Sequence, residues 1–586
     1  MKPMMFHFMT FPSFILILLS SILQSCHCVR IGVIGGGISG TFVSKYLVDF
    51  LNNDDDCSSL QELTIFDPNP IGELTDKKAS SNNDNDWQGS RVSSYRLDDG
   101  RIVELGASVL TDQFKLILEM AKEANVTVGP PFFTGENETK RDGMAIYNGN
   151  GETMFNTANS TISTMRAMAW RYNMDLLKLY RITSKMIERF DAMQDMLLET
   201  KKYFFESPKE MWDEAHLGPF VDMSIADLCD YLWIPQVLPW WRKLLPGQGS
   251  IRSELLESML LVNYNQGNSQ INAVTGLGSF SASSHSKMHS IVGGNAQLIS
   301  SAFAQAQKTH STKCPDTPDV VVSHSQQRVS TVVGSLDGFE VFASDGSLLG
   351  HYDIMVLAAP LAFSKVEFLI NSQIDSSVLQ PMPMGGLVEN HEDTRYGQDH
   401  EGHNPLPHHL SKAATRTYTQ VVTTLVRHGE LQHDYFSIDP DHIPRVIVFT
   451  EKGKAAEHNI TSIAQISPKD GLYKIFSSEP LTLDLFQKIF GSSVTIEYEK
   501  IWGGEHGGAT PDYQGTGDST EFLLYDGATG FSGHTTSGGL YYPNSLELSF
   551  ACIELSAMGA KAVAKLIAKR LGWVEPEKVS ELGEEL

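Results

Sequence analysis

Apolar residues first close up in Val29-Arg-Ile-Gly-Val-Ile34, the pattern of a short buried strand. They then space out as Phe42, Val43, Tyr46, Leu47, Phe50 and Leu51, which puts one buried face on a helix predicted over Thr41 to Asn52. The turn between them is Gly35-Gly-Gly-Ile-Ser-Gly40, and a second strand, Glu62 to Phe66, ends in Asp67. Strand, glycine turn, helix, strand and acid in that order predict a dinucleotide cradle. Gly35 makes the tight turn, Gly37 lets a pyrophosphate reach backbone N–H groups at the helix N-terminus, and Gly40 lets helix and strand pack closely. Asp67 stands where a carboxylate accepts hydrogen bonds from the adenosine ribose, and the polar insertion Asn52 to Ser59 accounts for a spacing longer than the usual ~20 residues. On these residues alone, nicotinamide and flavin remain open.

Further along, the period changes repeatedly. A hairpin is predicted from Val92 to Leu97 and from Arg101 to Leu105 around Asp98-Asp-Gly100, and it leads into Glu104-Leu-Gly-Ala-Ser108, whose small residues suit close backbone approach. Residues 112 to 260 read as mainly helical. Trp170, Tyr172, Leu176, Leu177, Tyr180, Ile187, Phe190, Met193 and Leu197 recur at helical spacing, the pattern of a core stripe and of a cavity wall. From Ile291-Val-Gly-Gly-Asn295 the α/β pattern resumes, with strands at Val320 to Val322, Val329 to Val333 and Tyr352 to Pro360, and later at Thr419 to Val426, Arg445 to Thr450 and Tyr473 to Phe476. Lys77 to Gln88 reads as a polar surface loop, and a glycine-rich loop is predicted from Gly503 to Gly517. His391, His400, His403, His408 and His409 fall in a solvated insertion with no shared period, so no metal is predicted. A last helix, about Ser549 to Leu571, carries alanines on one side and Lys561, Lys565, Lys569 and Arg570 on a side read as solvated; its N-terminus turns a positive dipole end to the cradle.

Composition narrows the function classes. The 586 residues are 41% hydrophobic and 20% charged, enough for more than one domain, and the formal net charge of -25 argues against nucleic acid or an anionic membrane as the main partner. Met1 to Cys28 has the pattern of a signal peptide, too short in its apolar run to span a membrane. The sequons at Asn125, Asn137, Asn159 and Asn459 agree with a secretory route, to a lysosome or vacuole or out of the cell. Cys57, Cys229, Cys314 and Cys552 are too far apart for a disulfide framework or a zinc site.

The order of these signals resembles the FAD-dependent amine oxidase superfamily. Outside the cofactor motifs, Ala145-Ile-Tyr-Asn-Gly149, Trp170-Arg-Tyr172, Val262-Asn-Tyr-Asn-Gln266 with Ile271-Asn-Ala273, Val421-Val-Thr-Thr-Leu-Val426 with Gly429-Glu-Leu431, Lys474-Ile-Phe-Ser477 and Leu540-Tyr-Tyr542 with Glu554-Leu-Ser-Ala557 are similar to the prenylcysteine oxidase (prenylcysteine lyase) family. The resemblance implies an α/β fold: a Rossmann-type FAD-binding domain, discontinuous over 29–110, 271–365 and 495–572, and an inserted α+β substrate domain over 111–270 and 415–494. A polar His-rich insertion at 371–414 and an acidic tail at 573–586 complete the expected map. For the cofactor the resemblance implies Gly35, Gly37 and Gly40 at the pyrophosphate, Asp67 at the ribose, Arg91 after the second strand, and Gly106, Ala107 and Ser108 facing the flavin. It also implies Val329 on the adenine side and Glu547, Glu554, Leu555 and Ser556 as the C-terminal flavin motif. Asn263, Tyr264 and Gln266 are cavity candidates.

The implied activity is cleavage of S-farnesyl- or S-geranylgeranylcysteine. Hydride passes from the carbon bonded to sulfur to FAD, water adds, the hemithioacetal collapses to cysteine and a prenyl aldehyde, and O2 reoxidises the flavin to give H2O2. The implied partners are this apolar small molecule and O2, with no nucleic acid and no transmembrane segment; loose membrane or lipoprotein association stays open. Two alternatives share the cofactor signals: an amine or polyamine oxidase, which needs an acidic, aromatic-lined cavity, and a secreted protein that binds flavin without turnover.

Overall fold

Ile31 and Val33 carry side chains with no solvent exposure, and the strand they belong to, Val29–Ile34, lies inside a six-stranded sheet. A computed structural model describes residues 29–577 except 54–59, 75–90, 107, 131–142, 150–152, 157–160, 240–248, 285, 309–319, 336–337, 372–378, 383–415, 504–509, 512–520 and 527–537. The signal-peptide segment, Ala107, Asn137, Asn159, the loop of Lys77 to Gln88, the five clustered histidines and most of the glycine-rich loop therefore lie outside the described residues.

The central sheet runs Val321–Ser325, Leu60–Phe66, Val29–Ile34, Ile354–Leu357, Gly539–Tyr541 in parallel, with Leu523–Asp526 antiparallel at one edge. Three widely separated stretches of chain thus build one Rossmann-type sheet. Helix Ile38–Asn53 covers it with Phe42, Val43 and Leu47 fully buried, each side chain contributing ~1.5–3 kcal/mol of hydrophobic stabilisation. Against that helix lies the final helix Ile553–Arg570, where Ala557, Ala560, Ala564 and Ala568 are buried. A smaller sheet, Leu348–Tyr352, Gly338–Ala343, Val329–Ser335, Glu367–Asn371 and Leu379–Met382, stands beside it. Leu379–Met382 lies within the stretch read as a loop insertion and pairs antiparallel with Glu367–Asn371, so the insertion begins later than its composition indicates.

The second large layer is a seven-stranded sheet ordered Thr495–Trp502, Val421–Arg427, Leu472–Ser477, Ile460–Ser467, Val446–Phe449, Met144–Tyr147 and Thr153–Asn156. Two of its strands come from the stretch expected to be mainly helical. Their apolar runs, Met144–Tyr147 above all, are too short to be told from helix by period and find their partner 300 residues later in Val446–Phe449. Thr495–Trp502, read as the start of the last cofactor segment, is instead this sheet's edge strand.

The long helix Thr161–Leu198, kinked at Asn173, corrects the stripe reading in part. Tyr172, Phe190, Met193 and Leu197 are buried, but Trp170, Leu177 and Tyr180 are 65%, 39% and 46% exposed, because the kink and the free outer face turn the first half of the stripe to solvent. The lysines of the final helix depart from expectation in the opposite sense. Lys565 is 1% exposed and gives its Nζ to the carbonyls of Met196 (3.4 Å) and Glu199, the C-terminal end of the long helix, where a cation is favoured. Lys561 lies 4.2 Å over the Tyr46 ring. The tail also begins later than read, since Trp573 and Val574 are buried.

Candidate active site

The glycine turn closes as its spacing predicts. The Gly35 N–H donates to Phe66 O at 2.8 Å, and the Gly36 N–H donates to the Asp67 carboxylate at 2.7 Å, so the two ends of the strand pair are tied at the turn. Gly35 has φ +107, a left-handed value that excludes ordinary side chains. At Gly40 a Cβ would lie 1.9 Å from Gly35 O, which is the close helix-to-strand approach the third glycine permits. Gly40 faces this packing and not the open space.

That space is a cavity of about 520 Å³, within the ~300–1,000 Å³ of small-molecule sites. Gly35, Gly37, Asp67, Arg91, Gly106, Ser108, Val329, Glu547, Leu555 and Ser556 all line it, as do Asn263 and Tyr264. Gln266 does not; it is buried at 2% exposure beyond the helix that carries them. The fold thus brings residues 35 to 556 to one cavity, whose apolar lining includes Met186, Phe190, Val262, Val421, Phe476 and Phe550.

Arg91 and Glu547, 456 residues apart, form a partly buried ion pair through Arg91 Nη1 and Glu547 Oε2. Burial pulls the guanidinium pKa down, and the Glu547 charge more than offsets it, so the net direction is up. The other oxygen of Glu547 accepts from Tyr418 Oη at 2.6 Å and Tyr542 Oη at 3.4 Å. Burial first, and Glu547 second, push both phenols well above their ordinary range, so they stay protonated donors. Glu547 therefore orients Arg91 toward the cavity.

Glu554 is placed differently from its neighbours in the C-terminal motif. Its side chain is fully buried and its two oxygens accept from Leu116 N (2.8 Å) and Ile117 N (3.0 Å), the first turn of helix Lys115–Glu123. It caps a helix and does not reach the cavity. Burial raises the Glu554 carboxyl to about 8, so near neutral pH Glu554→Gln chiefly replaces one acceptor by an N–H facing that helix N-terminus; urea denaturation is expected to give a loss of ~1–2 kcal/mol with flavin content unchanged.

Two residues without a sequence assignment stand in the wall. Asn544 accepts from Ser39 Oγ at 2.6 Å and donates to Ala358 O at 2.9 Å, which stitches the cofactor helix, the central strand end and the C-terminal segment together. Lys474 is 4% exposed in the strand Leu472–Ser477 and donates to Glu104 O at 3.0 Å and to Ser108 Oγ. Burial lowers its ammonium pKa to about 8, against the pull of Glu104. The signal available in the sequence was a lysine set inside an apolar strand run, a position that is costly unless the charge is used.

These residues fit FAD: a glycine turn at a helix N-terminus for the diphosphate, a carboxylate for the ribose, a small-residue segment at Gly106 and Ser108, and two cations for the negative pole of a reduced ring. Cys552 also faces the cavity, but burial pushes its thiol up to about 12, so it is a neutral wall residue.

The comparisons agree with this arrangement. The family model for prenylcysteine lyase matches residues 155–384 and 402–581. Prenylcysteine oxidase 1 of Homo sapiens is 23% identical over 559 residues, 92% of this chain and 89% of the relative, and that of Mus musculus is 21% identical over 554 residues with the same coverage. Among solved structures, a putrescine oxidase redesigned in cofactor binding shares the fold with a TM-score of 0.51 at 12% identity, over 92% of this chain and 99% of that one. Because the family model matches most of the chain, in segments that lie outside the cofactor turn, the chain belongs to the prenylcysteine lyase family of FAD-dependent oxidoreductases.

Proposed function

We propose that the protein is a thioether oxidase that cleaves S-prenyl-L-cysteine with O2 and water to cysteine, a prenyl aldehyde and H2O2. The observation that carries this reading is the charge balance of the cavity. Its only carboxylates among the described lining residues are Asp67, engaged at the glycine turn, and Glu547, engaged by Arg91. Neither is free to hold the second, distal ammonium of a di- or polyamine, and the apolar lining of Met186, Phe190, Val262, Phe476 and Phe550 suits a prenyl chain.

When bound, FAD supplies a two-electron acceptor that O2 can reoxidise. The chain's own part is to bind and orient. The turn N–H groups and the helix dipole hold the diphosphate, Asp67 the ribose, and the strand at Val329 the adenine side. The apolar lining aligns the prenyl carbon bonded to sulfur and thins the water around it, and Lys474 holds a proton on Nζ beside Ser108 Oγ and Glu104 O.

An anaerobic titration with S-farnesylcysteine tests the reading. Bleaching of the oxidised-flavin absorbance, recovery on admitting O2, and release of cysteine, farnesal and peroxide are the expected results; a yellow protein that farnesylcysteine leaves unbleached and a polyamine bleaches would move the substrate class to amines. Lys474 adds a pH dependence. Below about pH 8 its ammonium adds a positive charge to the cavity, and above that pH the charge is lost. The flavin midpoint potential is expected to fall across this window. In Lys474→Met the inflection near 8 should vanish and the potential at pH 7 should drop by about 30 mV, the equivalent of ~1.4 kcal/mol for two electrons.

Routing through the secretory pathway is part of the proposal. Asn125 is exposed, and Asn459 is partly so, both at positive φ in turns that a glycan can leave. No helix among the described residues is long and apolar enough to cross a membrane.

A further inference from the structure

The long helix Thr161–Leu198 has two different faces. Met186, Ile187 and Phe190 look inward and line the large cavity, while Trp170, Met174, Leu177 and Tyr180 are exposed on the outer side. A turn packs beside that outer side: Lys178 Nζ donates to Leu232 O at 2.9 Å and to Trp233 O at 3.4 Å, and Gly249 N donates to Arg171 O at 3.3 Å. The turn adds Tyr231, Trp233 and Val237, which are 79%, 85% and 75% exposed. Trp233 stands at φ +56, in the left-handed region that a bulky residue adopts only at a cost, with its ring almost wholly in water.

These seven side chains are more than half of the twelve large apolar residues that stand exposed among the described residues. Scattered apolar residues are ordinary on a surface. A gathered set is not, because a folded monomer seldom leaves a wide contiguous apolar patch in water unless something covers it.

What covers it follows from the charges around it. The chain carries 70 acidic against 45 basic residues, yet from 161 to 187 five basic residues stand against a single acid, Asp175. Asp175 is 4% exposed and paired with Lys178, and Arg171 is held by Glu254 at 2.6 Å, so the positive charges at the exposed surface are those of Arg166, Arg181 and Lys185. The next acid along the helix is Glu188, and beside the turn Asp230 is engaged by Arg252 at 2.5 Å. A second copy docking through the same face would bring these like charges together, which disfavours it. Trp and Tyr rings edged by Lys and Arg suit the boundary between water and lipid: the rings have an apolar body and a polar tip, and the long cationic side chains reach the phosphates. Because the inner side of the same helix lines the cavity, a bilayer resting on the outer side lies about one helix diameter, ~10–12 Å, from it.

We propose that the outer face of the long helix and the turn at 231–237 dock the protein on a bilayer surface that contains anionic phospholipid, with the aromatic rings among the headgroups and Arg166, Arg181 and Lys185 on the phosphates. The overall charge of -25 keeps the attachment reversible, since the rest of the protein is repelled by the same surface. Docking does not depend on the substrate class assigned to the cavity. The test mixes flavin-loaded protein with sucrose-filled vesicles and sediments them at ~100 mM salt. Vesicles of phosphatidylcholine with ~30% phosphatidylserine are expected to bind it at least tenfold better than phosphatidylcholine alone, and ~1 M salt should release most of it. Trp233→Ser with Leu177→Ser, and separately Arg181→Glu with Lys185→Glu, should each lower binding at least tenfold, with flavin content and melting temperature unchanged. Leu348→Ser, at an exposed apolar residue of the smaller sheet, should leave binding as it is. Protein that stays in the supernatant with both kinds of vesicle would overturn the proposal, as would binding that both double variants keep or that neutral vesicles match. A dimer that Trp233→Ser dissociates, in a protein that binds neither vesicle, would give this face to a second copy instead.

Discussion

A Gly37→Val variant is expected to fold and to come off the column without its yellow colour. Gly37 lines the large cavity at the start of helix Ile38–Asn53, where backbone N–H groups face the place a diphosphate would take. A branched side chain there stands between phosphate and amide. Losing two charge-assisted hydrogen bonds at ~1.5–3 kcal/mol each weakens FAD by roughly 10² to 10⁴-fold. The same motif supplies a contrasting control. A Cβ at Gly40 would meet Gly35 O at 1.9 Å, so Gly40→Val should fail to fold and not merely lose flavin. Fluorescence-monitored FAD titration beside circular dichroism separates the two outcomes. Full flavin retention by folded Gly37→Val would remove the diphosphate from this turn.

Glu547→Ala is expected to carry the largest stability loss of any single change at the cavity wall. It strands the Arg91 guanidinium, whose side chain is 25% exposed, and takes an acceptor from the hydroxyls of Tyr418 and Tyr542 at once. Removing the acceptor of a charge-assisted hydrogen bond costs ~1.5–3 kcal/mol, because the partly buried Arg91 charge is only partly resolvated. Glu547→Gln keeps the shape and one acceptor for the tyrosines, so it should lose less stability yet still free Arg91 from its orientation. Denaturant midpoints with flavin content measured alongside give both numbers. A loss under 1 kcal/mol for Glu547→Ala would mean that solvent, and not Glu547, satisfies Arg91.

The two predictions sit at opposite ends of what a sequence reveals. The cradle is legible because strand, turn, helix and acid follow one another locally, and each glycine's task follows from backbone geometry over a few residues. The hairpin at 94–104 and the parallel strands at 60–66 and 354–357 are legible for the same reason. Met144–Tyr147 is not legible as a strand inside a helical stretch, since four apolar residues carry no decisive period until Val446–Phe449 lies beside them. Helical spacing puts Lys565 on a solvated side because it marks a face and does not say what packs there; the end of the long helix does.

By itself, then, the sequence determined that a dinucleotide turn opens the chain, that apolar segments alternate between helix and strand periods, and that the chain resembles its family far beyond that turn. These are properties of neighbours along the backbone. Only the tertiary structure decided that Glu547 meets Arg91, that Glu554 caps a distant helix, that Lys474 stands in the cavity, and that the cavity's carboxylates are already engaged. Those facts depend on where a side chain points once segments hundreds of residues apart are brought together by the sheet, and desolvation, which sets their charges, exists only after that closure.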